Sequence, residues 1–291
     1  MPELPEVETV RRGLNQVTQG KKIIGGEVLL QRTLAYPNCQ ATFLQGIAQT
    51  TITNWQRRGK YLLANLDNGS SIGVHLRMTG QLLWVKDTTP LPIHTRLRFF
   101  FANQQELRFV DTRTFGKIWW IAANKTPESV ITGLKKLGLE PFDRNFTPDY
   151  LYSHCQKSRR PIKTFLLDQN VVAGIGNIYA DEVLFKSGIH PQTAANLLKI
   201  EQIDLLTKNI ISVLETAIAE GGTSFSDFLH VTGVNGNYGS MAWVYGRTGE
   251  NCRLCGATIA RIKLSGRSSH FCPQCQVSTV ISKQSTVNSN Q

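Results

Sequence analysis

The sequence predicts a multidomain α+β protein with an antiparallel β-rich N-terminal part, a helical middle and a small metal-stapled C-terminal module. Three observations carry this. Between Lys22 and about Ala123, seven short runs rich in branched and aromatic residues follow one another with no long helix between them, the texture of an antiparallel sandwich or barrel. From about Thr147 to Glu220 apolar residues recur at helical spacing. Beyond them, Cys252, Cys255, Cys272 and Cys275 stand in the pattern C-x2-C-x16-C-x2-C.

Leu4, Val7, Val10, Leu14 and Val17 keep a helical period, and Pro5 sits where a first-turn proline is tolerated, so a helix is expected over about residues 5–18. The opening MPELPEVETVRRGL nevertheless places two prolines and three glutamates at an end that chains usually leave frayed. It is either a charged helix start or a terminus that does chemistry. The seven runs are KIIGGEVLL, YLLANL, SIGVHL, QLLWV, TRLRFFF, ELRFV and KIWWIA, with Asp67-Asn68-Gly69 the clearest hairpin turn.

After Pro127 the texture changes to a short helix and then a linker ending in Thr147-Pro148, an N-cap and first-turn pair. Helices are expected over about residues 162–169 and 177–186, around a turn ending Gly174-Ile175-Gly176, and in IEQIDLLTKNIISVLETAIAE. The segment GGTSFSDFLHVTGVNGNYGSMAW is long, glycine-rich and unperiodic, as a functional loop would be. The resulting division is 1–133, a linker 134–148, 149–246, 247–276 and a polar tail 277–291 expected to be disordered.

Lys and Arg outnumber Asp and Glu by 32 to 21, a formal charge of +11 with a pI near 9.5, which favours a polyanionic partner such as nucleic acid or an acidic membrane surface. No stretch approaches the roughly 18 apolar residues of a membrane span. The acidic start lacks the basic and apolar regions of a signal peptide, so a cytoplasmic protein is expected. A reducing compartment argues against a disulfide framework. The four paired cysteines then read as a closed, structural four-thiolate Zn²⁺ site; redox CxxC motifs would want a βαβ context that is absent here. Cys39 and Cys155 read as buried free thiols. Between the two knuckles, ATIARIKLSGRSSHF alternates like a hairpin with Gly266-Arg267 at its tip.

Other constellations are less specific taken singly. The Gly174-Ile175-Gly176 turn leads into a helix start near Arg159, Arg160 and Lys163, a possible phosphate cradle or simply a tight turn. QRRGKYLL carries Arg57, Arg58 and Lys60 into a strand. HLRMTG and DTRTFG each set an apolar residue beside cations, Met78 with His75 and Arg77, Phe115 with Arg113. Such pairs can wedge open a base step or be core residues at strand ends.

In order along the chain, PELPEVETVRRGL, RRGKYLL, HLRMTG, DTRTFG, VVAGIGNIYADE, VYGRTGENCRLCG and HFCPQCQ resemble the formamidopyrimidine-DNA glycosylase family over nearly the whole length. The resemblance implies an N-terminal β-sandwich with an N-terminal helix, a helical helix–two-turn–helix domain and a C-terminal zinc finger holding one structural Zn²⁺ on the four cysteines. It implies a glycosylase that removes oxidised purines such as 8-oxoguanine and formamidopyrimidines from duplex DNA and then nicks the abasic strand. Pro2, freed when Met1 is removed, would be the Schiff-base nucleophile and Glu3 the general acid/base. Lys60 and Arg267 would donate protons for the eliminations and contact phosphate.

By the same resemblance, His75, Lys163 and Asn177 would contact phosphates, and Met78, Arg113 and Phe115 would fill the gap left by the flipped nucleotide. Glu182, Thr223, Ser224 and Tyr238 would lie at the lesion pocket. Glu6 matches a supporting position, while Glu8 reads as ordinary helix-start charge. The implied partner is double-stranded DNA with an oxidised purine or abasic site, without membrane, met by a monomer in the bacterial cytoplasm at the nucleoid. Arg77 and Thr112 depart from the glycine and proline of some members. Endonuclease VIII shares the architecture and terminal proline but acts on oxidised pyrimidines; the LPEVETVRRG opening and the Met78, Arg113, Phe115 set favour the purine enzyme. A non-catalytic zinc-ribbon binder would need none of Pro2, Glu3 and Lys60.

Overall fold

Glu3 starts the first helix, α1 (Leu4–Thr18), through a reciprocal capping box: its side chain accepts the Glu6 amide, and its own amide donates to Glu6 Oε2 at 2.8 Å. Two donors that a helix start leaves unpaired are thereby satisfied. The computed structural model describes residues 1–223, 231 and 236–277. Contacts among them divide the chain into two units, Met1–Leu137 with Ala217–Gly239, and Gly138–Thr216 with the described residues from Ser240 onward.

In the first unit α1 is followed by β1 (Lys22–Val28), β2 (Leu34–Tyr36), α2 (Gln40–Ile47), β3 (Thr50–Arg58), β4 (Tyr61–Leu66) and β5 (Ser71–His75). Then come β6 (Gly80–Lys86), β7 (Thr95–Phe101), β8 (Gln105–Asp111) and β9 (Lys117–Ile121). The strand order is β2-β9-β5-β4-β3-β1-β7-β8-β6, antiparallel except for β2 against β9. Its halves, β2-β9-β5-β4-β3 and β1-β7-β8-β6, are joined where Lys22 and Ile23 pair with Thr51 and Thr50.

Strict alternation along β7 buries Leu97, Phe99 and Phe101 on one face. They share one core with Ile52, Trp55, Leu62, Val74 and Ile118 of the other half and with Val7, Val10 and Leu14 of α1. The N-terminal part is therefore the expected sandwich, with α1 packed on β3 and β4. All seven expected strand runs form, and Asp67-Asn68-Gly69 links the antiparallel pair β4 and β5.

The sequence does not announce β2, β3 or α2. β2 has three residues, β3 mixes polar residues and two arginines into its alternation, and α2 buries only Phe43 and Ile47. Cys39, just before α2, is exposed rather than buried, whereas Cys155 is fully buried. The short helices α3 (Pro127–Val130) and α4 (Thr132–Lys135) close this stretch.

The second unit begins with α5 (Pro148–Gln156), capped as expected by Thr147, whose Oγ1 accepts the Tyr150 amide at 3.2 Å. Then follow α6 (Ile162–Leu166), α7 (Asn177–Lys186) and α8 (Ile200–Ala219), with α9 (Tyr238–Met241) after it. The double turn between α6 and α7 is organised by Gln169, which accepts the Gly174 amide at 2.9 Å and donates to the Ile175 carbonyl at 2.7 Å. This is the helix–two-turn–helix. β10 (Ala260–Leu264) and β11 (Arg267–Phe271) form the hairpin of the zinc module. Its tip is Ser265-Gly266, both at positive φ (47° and 78°), as a two-residue hairpin turn demands. Arg267 is not at the turn itself but is the first paired residue of the returning strand, opposite Leu264.

Ala217–Gly239 groups with the sandwich, although the sequence division placed it in 149–246. The reason is visible in its hydrogen bonds: Thr223 to Glu6, and the Trp84 amide to the Val231 carbonyl at 3.0 Å. Among the described residues no helix is long and apolar enough to cross a membrane. The disordered tail expected at 277–291 falls, from residue 278 on, outside the described residues.

Candidate active site and nucleic-acid interface

At the amino end Met1 is 42% exposed while Pro2 and Glu3 are buried. Glu6 holds this end in place. Besides the Glu3 amide on Oε2, its Oε1 accepts the Thr223 amide at 2.8 Å and the Thr223 hydroxyl at 3.0 Å. Gly222 makes the approach feasible: it sits at φ 78°, and a Cβ there would lie 2.7 Å from Glu6 Oε1. An antiparallel bridge from Thr223 to Asn237, and the Tyr238 amide on the Gly222 carbonyl at 3.0 Å, close the base of the loop.

Thr223 and Tyr238 are thus buried anchors of the expected lesion loop, with both Thr223 donors occupied by Glu6. Ser224, and most of the loop, lie outside the described residues.

Glu8 is no ordinary helix-start charge. It is buried and accepts Arg11 at 2.7 Å, Arg12 at 2.9 Å and Arg57 at 3.2 Å. Burial pushes its carboxyl up, but the three guanidinium groups outweigh that and hold it at about 2. Arg57 also donates to the Gly59 carbonyl at 3.2 Å, in the β3–β4 turn that presents the buried Lys60. Through Arg57 the turn carrying Lys60 is fastened to the helix that carries the terminus.

His75 ends β5, paired with Tyr61 and Lys117. Its ring is buried, and burial together with the charges of Arg77 and Lys60 depresses it to about 3. Nδ1 accepts the Arg77 amide at 3.0 Å, so the proton of the neutral ring sits on Nε2. As a phosphate ligand it would be a neutral N–H donor.

Met78 and Phe115 are 38% and 49% exposed, so they are not core residues at strand ends. The Arg113 guanidinium lies 4.9 Å over the Phe115 ring. Pairing of Gly80 with Asp111 brings their two loops side by side.

In the second unit two of the expected site residues are buried and hold protein partners. Lys163 is 1% exposed; its ammonium meets Asp181 Oδ1 at 2.7 Å and the Ser268 carbonyl at 2.6 Å. Asp181 Oδ2 takes the backbone amide and Nδ1 of His270, each at 3.0 Å. With its ammonium on these two acceptors, Lys163 ties α6 and α7 to the hairpin β10–β11. Glu182 is fully buried, and its carboxylate accepts the amides of Trp243 (2.8 Å), Val244 (3.0 Å) and Tyr245 (2.9 Å). Burial raises its pKa against the lowering effect of those amides. It clamps the segment leading to the cysteine module.

Asn177 is the first residue of α7, and its Oδ1, an acceptor, is a buried atom without a hydrogen-bond partner among the described residues. Arg267 is exposed beside the hairpin tip. The residues that sequence reasoning missed, Glu8, Asp181 and His270, lie inside or beside the motifs PELPEVETVRRGL, NIYADE and HFCPQCQ; their buried pairing partners were the missing information.

The four thiols converge. Sγ atoms of Cys252, Cys255, Cys272 and Cys275 lie within 4.8 Å of one another, Cys252 to Cys275 at 3.9 Å and Cys255 to Cys272 at 3.4 Å. A tetrahedron with Zn–S of about 2.3 Å has edges of about 3.8 Å, so the donor set fits one Zn²⁺. Gln276 fixes the second knuckle, accepting the Cys272 amide and donating to the Ile189 carbonyl, both at 2.9 Å.

Comparison with known proteins agrees with this geometry. Residues 1–118 match the formamidopyrimidine-DNA glycosylase N-terminal domain, 137–228 the H2TH domain of the same enzyme, and 249–277 the zinc finger found in FPG and IleRS. A formamidopyrimidine-DNA glycosylase of Trichormus variabilis is 62% identical over 277 residues, covering 95% of this chain and 100% of the relative. One of a Nostoc species is 61% identical over 283 residues, with the same coverage.

Among solved structures, Lactococcus lactis Fpg complexed with DNA containing an abasic site superposes at a TM-score of 0.87 and 38% identity, over 94% of this chain and 99% of that one. The L. lactis enzyme with FAPY-dG-containing DNA gives 0.86 and 38%, over 94% and 100%. Matched in all three of its parts and along almost its full length, the chain belongs to the formamidopyrimidine-DNA glycosylase family.

Proposed function

We propose that this chain excises oxidised purines, 8-oxoguanine and formamidopyrimidines, from duplex DNA and then nicks the strand at the abasic site, using Pro2 as nucleophile. The observation that carries the reading is the amino end: a buried Pro2 under an exposed, removable Met1, with the next residue fixed by the Glu6 capping box. While Met1 is attached the Pro2 nitrogen is an amide and inert. Once Met1 is cleaved it is a secondary amine held in a set position at the start of α1.

The amine attacks C1′ of the damaged nucleotide, and the glycosidic electron pair leaves with the base. A proton from Glu3 on O4′ opens the sugar to an iminium on Pro2. That cation acidifies C2′, so loss of its proton expels the 3′ phosphate, and a second elimination expels the 5′ phosphate. Lys60 and Arg267 serve these eliminations and contact the phosphates. His75 donates from Nε2, Asn177 binds at the start of α7, and Met78, Arg113 and Phe115 fill the space of the flipped nucleotide. Extrusion costs a few kcal/mol of stacking and pairing, which the inserted side chains offset in part. Zn²⁺ in the four-thiolate site holds the finger folded and takes no part in the reaction. The enzyme works as a monomer in the bacterial cytoplasm, on the nucleoid.

The test is borohydride trapping on duplex with 8-oxoguanine opposite cytosine, with the N-terminal mass measured on the same sample. A covalent adduct is expected only for protein lacking Met1. Absence of any adduct from Met1-free protein overturns the proposal. Preferential action on thymine glycol opposite adenine would move the chain to the pyrimidine-specific reading.

A further inference from the structure

The two loops that carry the wedge are built alike. In each, the residue just before the exposed apolar side chain is a non-glycine residue in the left-handed region: Arg77 (φ 56°) before Met78, and Thr114 (φ 58°) before Phe115. That conformation is unfavourable for side chains of these types, so the surrounding structure must impose it. Each is restrained locally, Arg77 by the bond from its amide to His75 Nδ1 and Thr114 by a hydrogen bond from Arg32 to its hydroxyl. The side chains that follow, Met78 and Phe115, are exposed.

A clip also runs between the loops. Pairing of Gly80 with Asp111 sets Thr79 beside the Asp111 side chain. The Thr79 hydroxyl donates to Asp111 Oδ1 at 2.5 Å and accepts the Arg113 amide at 3.0 Å, while Asp111 Oδ2 accepts the Gly116 amide at 2.7 Å. Backbone amides can only donate, so the direction of all three bonds is fixed and the hydroxyl proton points at the carboxylate. Asp111 is 1% exposed. The loop closes tightly on it: a Cβ at Gly116 would lie 2.4 Å from the Phe109 ring and 3.0 Å from Asp111 Oδ2. Arg113 and Phe115 are thus bracketed by bonds at 113 and 116, and the same carboxylate holds the residue after Met78.

We propose that Thr79 and Asp111 are positioning residues that lock Met78, Arg113 and Phe115 in their projecting arrangement before DNA arrives. The wedge then need not be ordered while the base leaves the stack. This rests on the wedge assignment in the proposed function. The clip acts on extrusion of the damaged nucleotide and not on the chemistry at Pro2.

The test uses Thr79→Val, which keeps the side-chain shape and removes the hydroxyl, with Thr79→Ser as the rescue. Single-turnover excision of 8-oxoguanine from duplex is expected to slow about tenfold, the scale of one lost buried hydrogen bond. Nicking at a preformed abasic site, with no damaged base to unstack, should stay within about twofold of wild type. Thr79→Ser should restore excision. In a background that lacks the whole wedge (Met78→Ala, Arg113→Ala and Phe115→Ala together) Thr79→Val should cost nothing further, since the clip has no wedge left to hold. Asp111→Asn, which removes one carboxylate acceptor, should show the same substrate split.

Unchanged excision, equal loss on both substrates, or effects additive with the triple wedge substitution overturn the clip while leaving the proposed function intact. Wild-type protein, free of Met1, that neither excises nor is trapped takes down both.

Discussion

Glu6 accepts both the amide and the hydroxyl of Thr223, at 2.8 and 3.0 Å, across 217 positions of the chain. The same carboxylate receives the Glu3 amide at 2.8 Å. One side chain therefore joins the backbone next to Pro2 with the base of the glycine-rich loop.

Glu6→Gln leaves one oxygen for these donors and turns an NH₂ group toward another. The expected local cost is about 1–3 kcal/mol, the scale of a buried bond left unmade. Hydrogen exchange should accelerate at the Glu3 and Thr223 amides together, and excision should fall. Exchange faster at only one of the two would show that Glu6 does not link them.

Glu8 gives an acid dependence with a definite sign. Its pKa falls from the ordinary 4.5 to about 2 on folding, so its contribution is present above 4.5 and is lost as pH drops toward 2. Glu8→Gln should destabilise the protein at neutral pH by about 2 kcal/mol, the range of charge-assisted hydrogen bonds. It should also flatten the decline of melting temperature between those two pH values. Parallel curves for the two proteins would contradict the cluster.

Lys163 and Arg267 should separate in their response to salt. If about six to eight phosphates are neutralised, log K for DNA falls against log salt with a slope of roughly −5 to −7. Arg267→Ala, at an exposed cation, should reduce the slope by about 1. Lys163→Met should leave the slope unchanged and weaken the docking of the hairpin, since the buried Asp181 loses its cation, typically a loss of about 3–5 kcal/mol. A smaller slope for Lys163→Met would show that it contacts a phosphate.

Chelation tests the division of labour between metal and fold. Removing Zn²⁺ should unfold the finger and abolish DNA binding, because a four-thiolate site supplies the folding energy of so small a module. The sandwich, with its own apolar core, should keep its far-UV signal. Collapse of that signal on chelation would mean the metal supports more than the finger.

Much of this protein is local and therefore readable along the chain. The alternation of TRLRFFF, the period of α1, the Thr147-Pro148 cap and the spacing of the four cysteines each place their determinants within a few residues of one another. So do the wedge motifs, whose apolar residues beside cations proved to be exposed. Elements with weak local signals escaped, such as β3 with its arginines and α2 with two buried anchors.

What the folded chain alone decided is where buried polar groups find partners. Lys163 and Ser268 lie 105 positions apart, and Glu182 and Val244 lie 62 apart. Nothing in either local pattern shows that the lysine meets Asp181 or that the glutamate holds three amides. A polar group withdrawn from water must be paired, and the pairing is set by whichever distant donor or acceptor the packing brings within about 3 Å. Chemistry-bearing residue types were thus visible in the sequence, and the partners they find inside the protein were fixed by tertiary burial.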